Sequence, residues 1–305
     1  LRVIIAGGTG FIGKALCRDL LLAGHEVAVL TRDAARARGR VPQGAGITQW
    51  SPEQPDGLLQ VLSDADAVVN LSGESIGAQR WTSEFKQRLI DSRVNSTRAL
   101  VQAMRQAKPS PAVLVNASAV GIYGDRGEEE LTEASPPGAG FLAELAVRWE
   151  QAAEEARAAG VRVVKLRIGI VLGEGGGALE KMLLPFRFFV GGPFGSGRQW
   201  FPWIHLDDVT GLILHALQDE RVDGAMNAVA PGIVRLGEFC KALGRVMRRP
   251  CWLPVPGFAL RLVAGELGET LLWSQRVLPQ VALQTGYAFR YPQLEEALRA
   301  VLTKT

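Results

Sequence analysis

Short, nearly unbroken apolar runs alternate with longer amphipathic stretches over the first half of the chain. Residues 3–6, 27–30, 67–70, 113–117 and 162–170 form the runs, and within the last only Lys165 and Arg167 interrupt the apolar pattern beyond Arg162. Continuous apolar strands, rather than alternating ones, belong to parallel sheets covered on both faces. Between them, residues 11–23 set Phe11, Ile12, Leu16 and Leu20 at helical spacing, and Gly24 stands where that helix must stop. Further helices are predicted over 83–107 and over 141–159, the second closed by Gly160. This alternation predicts an α/β fold with a Rossmann-type, doubly wound parallel sheet.

Beyond residue 170 the rhythm loosens. Residues 173–177 and 191–197 read as glycine-rich loops around an apolar stretch containing Pro185, Phe186, Phe188 and Phe189. A helix over 207–217, a strand over 226–229 and helices over 236–247, 258–267 and 294–302 follow. The expected organisation is a sheet domain over 1–170, to which 205–232 returns. A smaller, mostly helical C-terminal lobe over 171–204 and 233–305 would close on the carboxyl edge of the sheet and bind substrate. No repeat of solenoid or propeller length occurs.

Composition narrows the class. The chain has 305 residues, 47% hydrophobic and 21% charged, which excludes disordered, collagen-like and coiled-coil chains. Thirty-four basic residues against 31 acidic ones leave a net charge of +3, too small a surplus to point to nucleic acid or a membrane. No uncharged apolar run approaches the roughly 18 residues of a membrane span. The three cysteines, Cys17, Cys240 and Cys251, form no C-x-x-C, so a reducing compartment fits. The sequence opens directly on a strand pattern with no leader-type stretch ahead of it, and a cytoplasmic protein is expected. His25, His205 and His215 are dispersed, so no metal site is expected. The expected partner is a small-molecule substrate, with a homodimer compatible with everything read so far.

Gly7-Gly8-Thr9-Gly10-Phe11-Ile12-Gly13 lies between the first strand and the first helix and matches G-x-G-x-x-G in the right context. Glycines let a diphosphate approach the main chain, and the helix start presents unpaired N–H groups to it. Gly7, Gly10, Phe11, Ile12 and Gly13 are the binding candidates. At the tip of the second strand, where an acidic residue would accept bonds from ribose hydroxyls, the chain reads Thr31-Arg32, with Arg36 and Arg38 close behind. A guanidinium suits a 2′-phosphate. This favours NADP(H), and Asp33 keeps the carboxylate alternative open by a shift of one residue.

With these residues the chain resembles the extended short-chain dehydrogenase/reductase family, in its nucleotide-sugar-epimerase-like branch. The likeness extends to Asn70-Leu71-Ser72-Gly73-Glu74, to Asn116-Ala117-Ser118-Ala119-Val120-Gly121-Ile122-Tyr123, to Leu166-Arg167-Ile168-Gly169 and to His205-Leu206-Asp207-Asp208-Val209. The strings Ser92-Arg93-Val94, Gly191-Gly192-Pro193 and Phe201-Pro202-Trp203-Ile204-His205 point to its atypical "epimerase family protein" subgroup, with a short C-terminal module from about Arg249. The resemblance implies that Leu71, Ser72, Gly73, Arg93 and Arg167 line the cofactor and that Ser118 is the catalytic serine.

The departure is at the family's Y-x-x-x-K, which pairs an acid/base tyrosine with a lysine that tunes it. The three tyrosines are Tyr123, Tyr287 and Tyr291, and none has a lysine four residues later. At the expected place stand Phe141 and Leu145. Tyr123 is the substitute phenol, Glu144 a second candidate, and a substrate that needs no strong acid a third way out. His205 and Asp207 read more readily as a helix cap than as acid/base groups. Arg198 and Trp200 are the candidate substrate contacts, suited to a planar or anionic ligand. Two functions stay open: an NADP(H)-dependent oxidoreductase or epimerase-like enzyme on a small, anionic or nucleotide-sugar-like substrate, and a non-catalytic NADP(H)-sensing regulator or scaffold.

Overall fold

The computed structural model describes residues 1–52 and 58–303. Its seven-stranded sheet is built from β1 (Arg2–Ala6), β2 (Glu26–Thr31), β3 (Gly46–Gln49), β4 (Ala67–Asn70), β5 (Val113–Ala119), β6 (Arg162–Ile168) and β7 (Gly224–Ala228). All pairings are parallel and the spatial order is β7-β6-β5-β4-β1-β2-β3. The direction of winding reverses between β1 and β4, so their carboxyl ends frame a crevice.

Strand side chains alternate between two cores. Val3, Ile5, Val29, Val69 and Val115 pack with α1 (Phe11–Leu22) and α7 (Leu206–Gln218). Ile4, Leu30, Val68, Leu114 and Val163 pack with α3 (Leu58–Ser63) and α4 (Ser83–Gln106), and α5 (Phe141–Glu154) adds Ala153 to the same layer. A separate core holds the lobe together. There Phe201 and Trp203 meet α6 (Gly177–Arg187), α8 (Leu236–Met247, with Phe239 and Leu243) and the C-terminal helix Leu294–Leu302.

The chain departs from the predicted elements at identifiable points. The apolar run 162–170 is not one strand. A Cβ on Gly169 would lie 2.5 Å from Pro202 O, and the chain leaves the sheet there so that Ile170–Leu172 pairs with Trp203–His205. The apolar stretch around Pro185, given no element by its pattern, is a helix. Its glycine lead-in is shaped by Phe11, whose ring fills the space a Cβ would need at Gly173 (2.8 Å) and Gly176 (2.8 Å). The predicted helix 258–267 is two, α9 (Gly257–Ala264) and α10 (Glu266–Thr270), broken at Gly265 with φ +60°. The segment over 141–159 ends in a 3₁₀ turn, Glu155–Ala159. β3, α3 and α2 (Ala34–Arg38) are too short to carry a periodic signal.

Two residues of the His-x-Asp-Asp segment are structural joints. The His205 ring accepts from Asp207 N–H at 3.0 Å and caps α7. Asp208 is fully buried and accepts from Arg290 N–H (2.7 Å), Tyr291 N–H (2.9 Å) and Tyr287 O–H (3.1 Å), tying α7 to the C-terminal segment. Asp208→Ala takes the carboxylate acceptor away from these three part-buried donors. It should lower unfolding free energy by roughly 3 kcal/mol in urea titrations, while Asp208→Asn should cost less.

Candidate functional site

The glycine turn sits on the carboxyl ends of β1 and β4. Gly7 has φ +82°, and a Cβ there would come within 2.6 Å of the Leu71 carbonyl. A Cβ on Gly13 would come within 2.3 Å of Gly7 O, so the helix start lies directly on the turn. Gly10 is the N-cap of α1 and supplies no side-chain bond, which leaves the first N–H groups of the helix available to an anion. Asn70 shapes the facing loop. Its amide donates to Asn116 Oδ1 (2.7 Å) and Thr97 Oγ1 (2.8 Å), and its carbonyl accepts from Ser72 N–H (3.1 Å). Leu71, Ser72 and Gly73 are thereby fixed beside Gly7.

Two arginines flank this turn. Arg32 is exposed at the end of β2 and has no carboxylate partner among the described residues. Asp33 next to it has a structural use. It caps α2, accepting Arg36 N–H at 2.9 Å. On the other side Arg93 lies against Gly73, where a Cβ would be 3.0 Å from the guanidinium carbon. Arg93 donates to the Glu74 carbonyl (2.9 Å) and lies over the Trp149 ring at 5.2 Å. Glu74's own carboxylate pairs with Arg88. Burial pushes the Arg93 pKa down to about 10, against the pull of Glu74's charge. A half-buried cation without a paired carboxylate is a place for a ligand's negative charge. The glycine cradle, the free helix start and the two arginines fit a phosphorylated dinucleotide.

At the other end of the crevice, Ser118, Arg167 and Asn227 occupy one rung across β5, β6 and β7. Glu150 reaches them from α5. Ser118 Oγ donates to Glu150 Oε1 (2.7 Å), and Arg167 clasps both carboxylate oxygens (2.8 and 3.0 Å). Arg167 also donates to Tyr123 OH (2.9 Å), which stands 2.7 Å from Asn227 Oδ1 and 3.0 Å from Thr132 O, two acceptors for one proton. Burial opposes the Arg167 charge, but Glu150 outweighs it and raises the guanidinium above its ordinary pKa. Burial likewise raises the Tyr123 phenol, with Arg167 pulling the other way. The structure therefore joins Ser118 to Tyr123 through Glu150 and Arg167. Both residues are buried, 2% and 0% exposed, and their hydroxyl protons go to acceptors inside the protein.

Phe141 and Leu145 are equally committed. Phe141 packs edge-on against Trp81 with ring centroids 5.2 Å apart, and Leu145 is buried in the same cluster. Glu144 is exposed. Trp200 lies apart from the serine rung. The Arg235 and Arg276 guanidiniums stand 4.2 and 5.1 Å from its ring, and its indole N–H donates to Glu128 Oε2 (2.9 Å). Arg198 is exposed beside it, its carbonyl accepting from Arg235. A thread connects the two regions: Gln275 N–H bonds Trp200 O, and its amide donates to Val120 O and Gly124 O, 2.9 Å each. Sequence reasoning missed Glu150 and Asn227. The signal for Glu150 was a carboxylate on the inward stripe of α5 between Trp149 and Ala153. Among the described residues no His, Cys, Asp and Glu cluster has metal-site geometry.

A glycine turn at the switch point of a doubly wound sheet, flanked by arginines without carboxylate partners among the described residues, defines a dinucleotide-binding protein of the short-chain dehydrogenase/reductase type. The chain belongs to the NAD dependent epimerase/dehydratase family, whose model matches residues 3–229, and residues 255–301 match a domain of unknown function, DUF1731. It is 42% identical over 306 residues to the epimerase family protein SDR39U1 homolog, chloroplastic, of Arabidopsis thaliana, covering 99% of this chain and 87% of that one. It is 39% identical over 305 residues to the epimerase family protein YfhF of Bacillus subtilis, covering 99% and 98%. Among solved structures it resembles human epimerase family protein SDR39U1 (isoform 2) with NADPH, at TM-score 0.87 and 35% identity with both chains wholly covered.

The ion pair at the rung sets an order among variants. Glu150→Gln strips the buried Arg167 of its counter-charge and should destabilise the fold by roughly 3–5 kcal/mol. Tyr123→Phe should cost only about 1–2 kcal/mol. Equilibrium urea unfolding of both variants checks the ranking.

Proposed function

We propose that the chain binds NADP(H) and acts as an oxidoreductase or epimerase-like enzyme on a small acceptor that needs no side-chain acid of the Tyr-Lys kind. The observation that carries this reading is the pair of arginines without carboxylate partners on either side of the glycine turn, Arg32 and Arg93. The NADPH in the human relative's structure supports extending that cofactor to this chain.

In this reading the N–H groups of Phe11, Ile12 and Gly13 hold the diphosphate, while Gly10 N–H closes the turn on Gly7 O (3.0 Å) and Gly7 keeps the turn open to the ligand. Arg93 adds charge from the β4 side. Thr31 and Arg32 take the 2′-phosphate, and Leu71, Ser72 and Gly73 line the adenosine ribose. The bound cofactor supplies or accepts a hydride. Ser118, Glu150, Arg167 and Tyr123 hold the carboxyl ends of β5 and β6 in place beneath it. Ser118 gives its proton to Glu150 and Tyr123 gives its own to Asn227 or Thr132, so these residues orient and do not transfer protons. An activated double bond, whose charge after hydride transfer is delocalised, is the acceptor class that fits. Arg198, on the rim beside Trp200, offers a contact to an anionic group of that acceptor.

The buried state of Ser118 and Tyr123 also favours a second reading, an NADP(H)-sensing regulator without turnover. Loss of reduced-nicotinamide absorbance across a panel of enone, carbonyl and nucleotide-sugar acceptors separates the two. Acceptor-dependent oxidation supports the enzyme. Tight NADPH binding with no turnover on any acceptor supports the sensor. If Tyr123 is a positioning residue, Tyr123→Phe should keep turnover within about threefold, whereas a proton donor's loss would cost a hundredfold or more. Arg32→Ala should weaken NADPH binding by about 10- to 100-fold and leave NADH nearly unchanged, as read by fluorescence titration.

A further inference from the structure

The lobe carries a surface that the cofactor crevice does not explain. The segments around residues 188–194 and 249–255 run side by side, bridged at Gly191 with Cys251 and at Phe194 with Val255, and Trp252 donates its indole N–H to Phe189 O (2.9 Å). Large apolar side chains stand out of this strip: Phe188 is 69% exposed, Trp252 62%, Phe189 54% and Leu253 41%. Phe189 is held at φ +63°, a strained conformation for a bulky residue. Isolated exposed apolar residues are ordinary, but a contiguous set marks a contact surface.

A cavity of about 370 Å³ opens directly beside the strip, lined by Lys241, Arg245, Arg248 and Arg249 with Gly244 and Cys251. Arg249 lies over the Phe189 ring at 4.4 Å, so the cavity and the strip are one surface. Arg245 pairs with Glu295 at 2.9 Å. Lys241, Arg248 and Arg249 have no carboxylate partner among the described residues, and Arg187, one residue before Phe188, has none either. The overall charge balance conceals this clustering.

We propose that this surface docks the protein on an anionic lipid bilayer. Phe188, Phe189, Trp252 and Leu253 enter the boundary between headgroups and acyl chains, and Lys241, Arg248 and Arg249 meet the negative headgroups. Aromatic tips beside basic side chains suit an interface that is apolar below and anionic above. A second copy is a poorer occupant, because an isologous dimer would bring the same cations face to face. The contact is peripheral, since no helix among the described residues is long and apolar enough to cross a membrane.

The test is sedimentation of the purified chain with extruded phosphatidylcholine vesicles, with and without 30 mol% phosphatidylglycerol. Binding is expected only with phosphatidylglycerol, and it should fall as salt rises. Lys241→Glu with Arg249→Glu should weaken it roughly tenfold or more. Phe188→Ser with Trp252→Ser should do the same without changing charge. NADPH affinity and far-UV circular dichroism should stay unchanged in both variants, which separates loss of docking from loss of fold. Equal binding to neutral vesicles, no binding to either, or binding indifferent to both variants overturns the proposal. So does a dimer in analytical ultracentrifugation that Phe188→Ser with Trp252→Ser dissolves, which would assign the strip to a second copy.

Discussion

A carboxylate and a guanidinium, Glu150 and Arg167, each 7% exposed, lie at the carboxyl ends of the central strands, and the surrounding structure is arranged to satisfy them. Taking two such ions out of water costs several kcal/mol apiece, and their attraction offsets that only when the remaining donors and lone pairs are used. Here they are used. Arg167 divides its donors among Glu150, Tyr123 and the Glu133 carbonyl (3.1 Å), and Glu150 accepts from Ser118 as well. Asn227 carries the network onward, donating its amide to Leu278 O (2.9 Å), while Glu133 Oε1 accepts from the N–H groups of Asn227 (3.0 Å) and Val281 (3.1 Å). One ion pair thus ties α5, three strands and the C-terminal segment into a single rigid floor.

The sheet was legible because burial on both faces writes itself as a continuous apolar run, and β4 matches its predicted span of 67–70 end to end. The same rule hid the break at Gly169, since the residues on both sides of it are apolar whether they pair within the sheet or with Trp203–His205. Short elements escaped for a different reason. β3 lies at the edge of the sheet and none of its residues is buried, so no hydrophobic pattern marks it. α6 was concealed by its glycine lead-in, which encodes the shape of the Phe11 ring rather than a loop.

The site divides along the same line. The cradle could be read from residue identity, because Gly7 and Gly13 are glycines for want of room, and want of room at a strand-to-helix turn is what a diphosphate requires. Whether Arg32 or Asp33 faced the ribose was undecided by spacing alone. The structure adds a local capping bond from Arg36 N–H to Asp33, which gives that carboxylate a structural use, and such bonds need the helix that follows. Ser118 and Tyr123 were legible as positions on a strand end but not as orientations. Spacing cannot say whether a hydroxyl turns to the crevice or inward. The inward turn depends on Glu150, thirty-two residues from Ser118 in sequence.

Restoring a tyrosine and lysine at 141 and 145 would not by itself restore proton transfer. Leu145 is 4% exposed among Trp81, Phe85 and Leu89, and Phe141 packs edge-on against Trp81. A lysine at 145 would place an ammonium in that cluster, where burial favours its neutral form and strips it of the charge that tunes a neighbouring phenol. A phenol at 141 would keep its ring against Trp81 rather than over the rung. The apolar packing of Trp81 and Phe85 on Phe141 and Leu145 therefore disfavours a charged lysine at 145. The dinucleotide cradle, built from backbone and from arginines on other elements, does not depend on that packing. The two sets of positions thus lie on different elements: glycines and arginines form the cradle, while a half-buried phenylalanine and a buried leucine stand at 141 and 145.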